Sequence, residues 1–370
     1  MLGGFFSVSI FAILASIHDM KKRSLPSCYW FIIVATLGFV TVGLFLLRSN
    51  VSRYDRPIEN LADDEKSTPC VFRSHLDGRC VDSLAEVNPQ LVAVMIENHV
   101  DARPQSGLAA ASVVYEAPVE GHYTRFLALY PSDEKINKVG PVRSARPYYL
   151  DWLSEWSKPL YMHVGGSPAA LAQIKSRGIR DANEFYFGAY YWRANNRFAP
   201  HNVYTNSDKW NTLLRKSDYA VVGEYPRWKF VTTTLQACTE KCIQKIRLPF
   251  LPPAYNPVWK YDATKDQYVR WQSGQETRDE TGSIVADTII IQEVTEKVLD
   301  DVGRVALSTL GSGRVTVVYS GQKFIGHWKK DSVSDRTRFY DELGKEILLK
   351  PGKIWLEIVP NFITVEFSEL

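Results

Sequence analysis

The sequence predicts an α+β protein, in which a mixed α/β sheet domain precedes a mostly β domain and a transmembrane helix precedes both. Three observations support this class. The chain has 370 residues with 45% hydrophobic content, which is enough for two ordinary domains and an anchor. Strand-like runs alternate with helical patterns in its middle part. A stretch near the start has the length and apolarity of a membrane span.

The anchor is predicted at residues 29–47, where YWFIIVATLGFVTVGLFLL runs without a charge. About 20 apolar residues are needed to cross the hydrocarbon core. Tyr29 and Trp30 open the run and Arg48 closes it, as is typical of residues at the two membrane interfaces. We therefore expect one membrane-spanning helix.

The segment 1–28 is interpreted as a cytoplasmic leader. Its apolar stretch 2–17 is marginal as a span, and whether it inserts is left open. Met20 is followed by three basic residues and then by the apolar run, which is the layout of a signal-anchor. Translation is therefore expected to begin at Met20, with Met1 as the alternative. Cys28 resembles a lipidated cysteine only if 2–17 is the true signal.

Basic residues are balanced on the two sides of the span, so charge alone does not orient it. The signal-like start and the cysteine pairs place the globular head outside the cell. The predicted location is the cell membrane, with a single pass and an extracytoplasmic head.

Residues 48–84 read as a polar stalk that carries a local disulfide loop. Cys70 and Cys80 enclose nine residues, and Cys238 and Cys242 are spaced to lie within bridging distance on a helix. Neither pair has neighbouring Cys or His ligands at metal-site spacing. We expect two local disulfides and no metal site.

The first domain is predicted at 85–228, with strands alternating with helices. Ser167 and Pro168 have the residue types of a helix start. The predicted strands are 91–98, 112–115, 125–130, 138–143 and 160–164, and the predicted helices are 147–156 and 168–177.

The second domain is predicted at 229–370 and is mostly β. Period-two alternation and turn residues dominate it. A hairpin is predicted in VWKYDATKDQYVRW, and further strands in ADTIIIQEV, GRVTVVYSG and KIWLEIVP.

The motifs of residues 91–206 include VAVMIENHVDARPQSG, VYEAPVEGHYTRFLALY, KVGPVRSARPYYLD, YMHVGGSP and FAPHNVYT. With the later GHWKK, TRFYD and PGKIWLEIVP, they resemble the YerB-like family of bacterial envelope lipoproteins over residues 85–362. The resemblance implies two successive domains of unknown function and an envelope location. The chain departs from the family in its anchor, where a transmembrane span replaces a lipidated cysteine.

Arginines near strand ends make an anionic-ligand pocket the first functional hypothesis, since a guanidinium fork suits carboxylate or phosphate. Backbone N–H groups at a glycine-rich helix start also favour anions. The alternative is that the arginines pair internally with Glu97, Glu116, Glu120 and Asp151. The predicted ligand-binding residues are Arg103, Arg125, Arg143, Arg146, Gly165, Gly166, Ser167, Trp192 and Asn202.

Three residues are candidates for catalysis. His163 ends a strand and His201 follows a proline, and histidine exchanges protons near neutral pH. Ser144 lies between two arginines and is a candidate nucleophile. A structural role for either histidine is the alternative.

The aromatic run 185–192 is the most unusual segment of the chain. Rings followed by Arg193, Asn195 and Arg197 suit stacking on sugar faces, and core packing is the alternative.

Two functions compete at this stage. The favoured one is an envelope protein that binds an anionic cell-wall polymer or an envelope protein through an arginine-rich cleft. The alternative is an enzyme that acts on a cell-wall polymer or its pyrophosphate-linked precursor. A net charge of +3 with mixed charges excludes nucleic acid as an expected partner. The sequence has no Walker A, zinc-protease or dinucleotide motif, so no cofactor is expected.

Overall fold

Apolar runs such as Leu91–Glu97 and Ile354–Pro360 form strands that are buried along their whole length. In the computed structural model, the described residues are 70–217, 225–232, 238, 240–250 and 252–369. The leader, the anchor and the stalk up to residue 69 lie outside them. Among the described residues, no helix has both the length and the hydropathy of a membrane span.

Strands make up most of the described secondary structure. The α-helices of the described residues are α1 Pro147–Leu153, α2 Pro168–Ser176, α3 Glu184–Phe187 and α4 Ser207–Lys216. The strands are β1 Phe72–Arg73, β2 Cys80–Val81, β3 Leu91–Glu97, β4 Val113–Pro118, β5 Thr124–Pro131, β6 Leu160–His163, β7 Arg180–Asn183, β8 Trp192–Arg193, β9 Val203–Tyr204, β10 Ile243–Arg247, β11 Pro257–Asp262, β12 Gln267–Gln272, β13 Gln275–Glu276, β14 Arg278–Asp279, β15 Gly282–Ser283, β16 Val285–Ala286, β17 Thr288–Val294, β18 Glu296–Val298, β19 Val305–Leu307, β20 Gly311–Tyr319, β21 Gln322–Lys330, β22 Arg338–Asp341, β23 Ile354–Pro360 and β24 Glu366–Glu369.

A ten-stranded mixed sheet is the centre of the fold, in the order β22-β21-β20-β17-β23-β4-β5-β3-β6-β7. The pairs β17/β23, β23/β4, β3/β6 and β6/β7 are parallel, and the other pairs are antiparallel. The sheet takes strands from both predicted segments, 85–228 and 229–370. The contacts between those segments therefore include a hydrogen-bonded ladder between β23 and β4.

Both faces of the large sheet are covered, which explains the continuous apolar runs. Met95 and other odd-numbered residues of β3 share a core cluster with Trp152 of α1. Val94 and its even-numbered neighbours share a second cluster with Trp259 of β11. The strand β11 belongs to a six-stranded sheet, β13-β12-β11-β10-β24 with β16 beside β12.

The predicted helices are confirmed. Pro147 and Pro168 occupy the starts of α1 and α2, where proline's missing N–H is not needed. The Ser167 hydroxyl accepts a hydrogen bond from the Ala170 N–H at 3.3 Å. A 3-10 turn, Ser154–Trp156, continues α1 to the predicted end.

The predicted strand at 138–143 is wrong. Val139 forms an isolated bridge with Thr205, and Val142 forms another with Ile96. Pro141 lies between them and has no N–H to donate, so the segment cannot continue a regular ladder. It instead crosses from one neighbour to another and delivers Arg143 to the sheet edge.

Both predicted disulfides are confirmed. Cys70 pairs with Cys80 and Cys238 pairs with Cys242, with Cα atoms 5.5 Å and 5.7 Å apart. Each of these four sulfur atoms is bonded to its disulfide partner and is not available as a metal ligand.

Candidate functional site

The candidate site is a cavity of about 300 Å³ at one edge of the large sheet. It lies where β3 ends and the antiparallel β5 begins, because Glu97 and Arg125 are directly opposite in the ladder. The lining residues are Glu97, His99, Val119, Glu120, Tyr123, Thr124, Arg125, Arg143, Arg146, Pro200 and His201.

Backbone contacts hold the cavity walls in place. The Glu97 N–H donates to the Pro141 carbonyl oxygen at 2.9 Å, and the Arg143 N–H donates to the Met95 carbonyl at 2.8 Å. These bonds fasten the irregular segment 139–145 to the end of β3. On the other side, the guanidinium of Arg197 donates to the Asp101 and Pro104 carbonyl oxygens. The loop that carries His201 is thereby tied to the loop that carries His99.

Glu97 holds two of the cavity's side chains. Its Oε1 accepts from Arg143 Nε at 2.9 Å, and its Oε2 lies 2.8 Å from His201 Nδ1. A carboxylate on one ring nitrogen orients the imidazole and leaves Nε2 for another partner. Glu97 is itself buried, so its charge is compensated within the cavity wall.

Arg146 and Glu120 form a bidentate pair, with Nε–Oε1 at 2.5 Å and Nη2–Oε2 at 2.7 Å. Burial raises the pKa of the Glu120 carboxyl, but the hydrogen bond and charge of Arg146 outweigh it and the net pKa is lowered. For Arg146, burial lowers the pKa and Glu120 more than reverses this. This arginine is matched by its own carboxylate.

Arg125 is the exception among the cavity's arginines. It is buried, and its Nη1 donates to the Ser144 carbonyl oxygen at 2.6 Å. It forms no ion pair with any residue in the described part of the chain. Burial and the charges of Arg146 and Arg143 lower the pKa of Arg125 to about 10. Three guanidinium groups thus face two carboxylates, and one buried positive charge is left without a counterion.

His99 and His201 stack against each other, with ring centroids 4.6 Å apart and planes 14° apart. Together with Asp101, they offer ligand atoms within 4.8 Å of one another. The lone pairs of stacked imidazoles lie in separate, nearly parallel planes, so they do not converge on one ion. Neighbouring guanidinium charges also oppose a cation. The cluster does not fit a metal ion as arranged, and the expectation of no metal site stays a prediction.

The structure brings together Arg125, Arg143, Arg146 and His201, but it places Arg103 elsewhere. The Arg103 guanidinium donates to Asn98 and, at 2.8 Å, to the Ala254 carbonyl oxygen, and it lies over the Tyr255 ring. Burial and the charge of Arg270 lower its pKa to about 10. Arg103 fastens the loop after β3 to the second segment, so it does not line the cavity.

His163 is also outside the cavity. Its ring is completely buried, with Nδ1 2.7 Å from the Gly165 carbonyl oxygen and Nε2 2.8 Å from the Asp181 carboxylate. Both ring nitrogens are engaged internally, which is the structural role considered as its alternative. Ser144 contributes its backbone carbonyl to Arg125, and its side chain is not among the lining groups.

At the glycine-rich helix start, two of the backbone N–H groups that were predicted to favour an anion have partners within the protein. The Gly165 N–H donates to Asn183 Oδ1 at 2.9 Å, and the Ser167 N–H donates to the Ala145 carbonyl oxygen. Gly166 forms a bridge with Ala145. These contacts hold α2 against the segment that carries Arg146, so the helix start positions the site from outside.

Trp192 and Asn202 support the loop that carries His201. The Trp192 ring stacks on Tyr204 at 6.0 Å. The Asn202 amide accepts from Arg193 and donates to the Ala194 and Arg197 carbonyl oxygens. The aromatic run itself is divided, because Phe185 and Tyr186 are exposed whereas Tyr191 is buried.

Sequence reasoning did not assign His99, Tyr123 or Thr124 to the site. It named Glu97 and Glu120 only as partners for the arginines, which they are for Arg143 and Arg146. Their positions carry the missing signal: His99 follows β3, whereas Tyr123 and Thr124 lie at the start of β5. Antiparallel neighbours bring such ends to the same edge of a sheet. That pairing is not visible in the chain order.

Comparisons with known proteins agree with the motifs. Residues 78–220 match the family described as protein of unknown function (DUF3048) N-terminal domain, and residues 246–356 match its C-terminal domain. The chain is 33% identical over 281 residues to the "Putative lipoprotein YerB" of Bacillus subtilis, covering 75% of this chain and 83% of that protein. The crystal structure of YerB from Bacillus subtilis matches with a TM-score of 0.70 and 28% identity, covering 80% of this chain and 99% of that one. The chain therefore belongs to the YerB-like family, whose members carry the two DUF3048 domains.

Proposed function

We propose that this protein is an envelope protein that binds the anionic group of a cell-wall ligand, or of a partner protein, in the cavity around Arg125. The observation that carries the proposal is the buried Arg125 guanidinium, which has no carboxylate partner among the described residues. A buried charge without a counterion is costly, and a bound anion would supply the counterion. Arg143 and His201 stand beside it, each already oriented by Glu97.

The location belongs to the same proposal. Residues 29–47 are proposed to span the membrane once, with the head on the extracytoplasmic side. Two disulfides favour an oxidising compartment, and the curated relative is called a lipoprotein. Proteinase added to intact cells should digest the head. Protection of the head in intact cells, with digestion only after lysis, would contradict this topology.

The binding proposal is tested with the full chain in a mild detergent. Equilibrium binding is measured for wall fragments and for inorganic pyrophosphate as a minimal anion. Arg125→Gln should weaken binding at least tenfold, because it removes the unpaired charge. Arg125→Lys keeps the charge but loses the fork, and an intermediate loss is expected.

Arg247→Gln is the matched control, since Arg247 pairs with Glu366 on the surface. It should bind like the wild type. Far-UV circular dichroism checks that each variant is folded. Anion binding that is unchanged in folded Arg125→Gln, or absent from the wild type, would contradict the proposal.

One observation favours an enzyme as the second candidate. The Glu97 carboxylate orients His201 through Nδ1, which leaves Nε2 to accept a proton from an attacking water. Product analysis in the same incubations separates the two candidates. Turnover of a wall fragment that is lost in His201→Gln would favour the enzyme, and retention without product would favour binding.

A further inference from the structure

The cavity is too small to enclose a whole ligand of ordinary size. Its volume of about 300 Å³ is at the lower end for ligand pockets. Charged and polar side chains dominate its lining, and three of them are arginines. It therefore suits a compact anionic group such as a phosphate, and the rest of the ligand must lie on the surface beside it.

The surface beside the cavity carries exposed apolar side chains next to the turn that follows β4. Val119 and Glu120 of this turn line the cavity, and its next two residues contact a neighbouring hairpin, β18–β19. A Cβ placed on Gly303 of the hairpin would lie 3.6 Å from the Gly121 nitrogen. His122 Nδ1 lies 3.5 Å from the Glu296 carboxylate at the start of the hairpin. The turn thus lies between the cavity and the hairpin.

The hairpin tip exposes large aliphatic side chains. Val298 and Leu299 are more than half exposed and Val302 is 72% exposed. Phe362 is 57% exposed, and its ring meets the His122 ring at 6.4 Å. The four residues form an apolar rim, and exposed groups of this kind mark interaction surfaces when they adjoin one another.

Charged side chains of both signs lie beside the rim. Asp300 at the hairpin tip accepts from Arg304 Nε at 2.5 Å, and Lys297 and Asp301 are exposed. The rim therefore adjoins the arginine cavity with little net charge of its own. Its charge complements neither an acidic nor a basic protein surface, and it fits a hydrocarbon chain that leaves the cavity.

We infer that the site takes the phosphate or pyrophosphate group of a lipid, with the headgroup at Arg125 and the start of its hydrocarbon chain on the rim formed by Val298, Leu299, Val302 and Phe362. This inference rests on the proposed anion binding and names the class of ligand. A phosphoryl group presents several oxygens to neighbouring guanidinium forks, which a single carboxylate does not.

The test compares farnesyl pyrophosphate with inorganic pyrophosphate on the full chain in phosphatidylcholine nanodiscs, after subtraction of binding to empty nanodiscs. Burial of a few methylene groups on the rim predicts that the farnesyl compound binds at least tenfold tighter. Val302→Ser and Phe362→Ser add no charge, so each should remove most of this preference and leave inorganic pyrophosphate binding unchanged. Leu343→Ser is the matched control, because Leu343 is 93% exposed in the turn after β22, and it should keep the full preference.

The outcomes separate the two proposals. Equal binding of both compounds, each sensitive to Arg125→Gln, would overturn the lipid inference, leave anion binding intact and make the rim a protein contact. A farnesyl preference that survives both rim variants would also overturn it. Failure of both compounds to bind would overturn the anion site itself.

Discussion

Arg125 is the residue on which the functional account depends. Its neighbours Arg143 and Arg146 each have a carboxylate within hydrogen-bond distance, whereas Arg125 has a backbone carbonyl. Burial of a charged group is tolerated when the group is paired or when function requires it. This contrast between three adjacent arginines is the reason for proposing Arg125 as the central anion-binding residue.

The lowered pKa of Glu120 predicts how the stability of the protein depends on pH. Its folded pKa lies below its usual value of 4.5 because Arg146 outweighs burial. The Glu120–Arg146 pair therefore stabilises the fold fully above about pH 4.5, and this contribution is lost as the pH falls through the lower folded pKa. Glu120→Gln should cost roughly 1–3 kcal/mol at pH 7.

The measurement is urea unfolding of the full chain in mild detergent at pH 7, 5 and 3.5. The loss of unfolding free energy in Glu120→Gln should be smaller at pH 3.5 than at pH 7. The wild-type carboxylate takes up a proton as the pH falls, whereas glutamine does not titrate. Glu342→Gln makes the same change in an exposed turn and should stay within about 0.5 kcal/mol of the wild type. A deficit of constant size at all three pH values would show that the pair's charge is not its source.

The residues of the site were only partly predictable from the chain. Arg125, Arg143 and Arg146 were identified because a guanidinium near a strand end has a limited set of uses. His163 was predicted in the site but lies outside the cavity, because its partners, Asp181 and the Gly165 carbonyl, become its neighbours only when β6 pairs with β7. Arg103 lies outside it for a similar reason, since its partner Ala254 is 151 positions away.

At the scale of elements, the hairpin β20–β21 and its edge strand β22 depend on one close approach. A Cβ on Gly326 would lie 1.8 Å from the Tyr340 carbonyl oxygen. Because backbone rather than a flexible side chain blocks the space, Gly326→Ala must displace β22. We expect a loss of about 2 kcal/mol or more.

Gly188→Ala is the matched control, because a Cβ there meets no atom within 4 Å and the residue has a helical φ of −53°. The urea concentration at the unfolding midpoint is measured for both variants and should be lower for Gly326→Ala. Equal midpoints for Gly326→Ala and Gly188→Ala would mean that the strand pairing of β21 with β22 tolerates the extra carbon.

Elements with strong local patterns were predictable, and those defined by distant partners were not. The helix at Pro168 has its cap and proline in sequence, and the strand at Leu91 has a continuous apolar run. The segment 138–143 is also strand-like in sequence, but Val139 forms a bridge with Thr205 whereas Val142 forms one with Ile96. A local pattern cannot reveal that successive residues pair with different segments.

At the scale of the whole molecule, the two family segments are built into one sheet. Thr288–Val294 and Ile354–Pro360 of the second segment continue into Val113–Pro118 of the first through parallel ladders. The fully buried Arg270 of the second segment also pairs with Glu116 of the first at 2.8 Å. Burial and the charge of Glu116 raise the pKa of the neighbouring Glu357 carboxyl well above its usual value.

We therefore predict that the two segments unfold together. Tryptophan fluorescence and far-UV circular dichroism of the full chain should follow one urea transition with the same midpoint. Glu116→Ala leaves the Arg270 charge buried without its partner. It should lower the free energy of unfolding by roughly 3–5 kcal/mol, to the same extent by both probes. Two separated transitions, or a shift of one probe alone, would mean that the segments are independent folding units.

A crystal structure of the complex with pyrophosphate would locate the bound anion. We predict phosphate oxygens within about 3.2 Å of the Arg125 guanidinium, with the Glu97 contacts to Arg143 and His201 retained. Pyrophosphate bound at another surface, with the cavity around Arg125 filled only by water, would contradict this prediction.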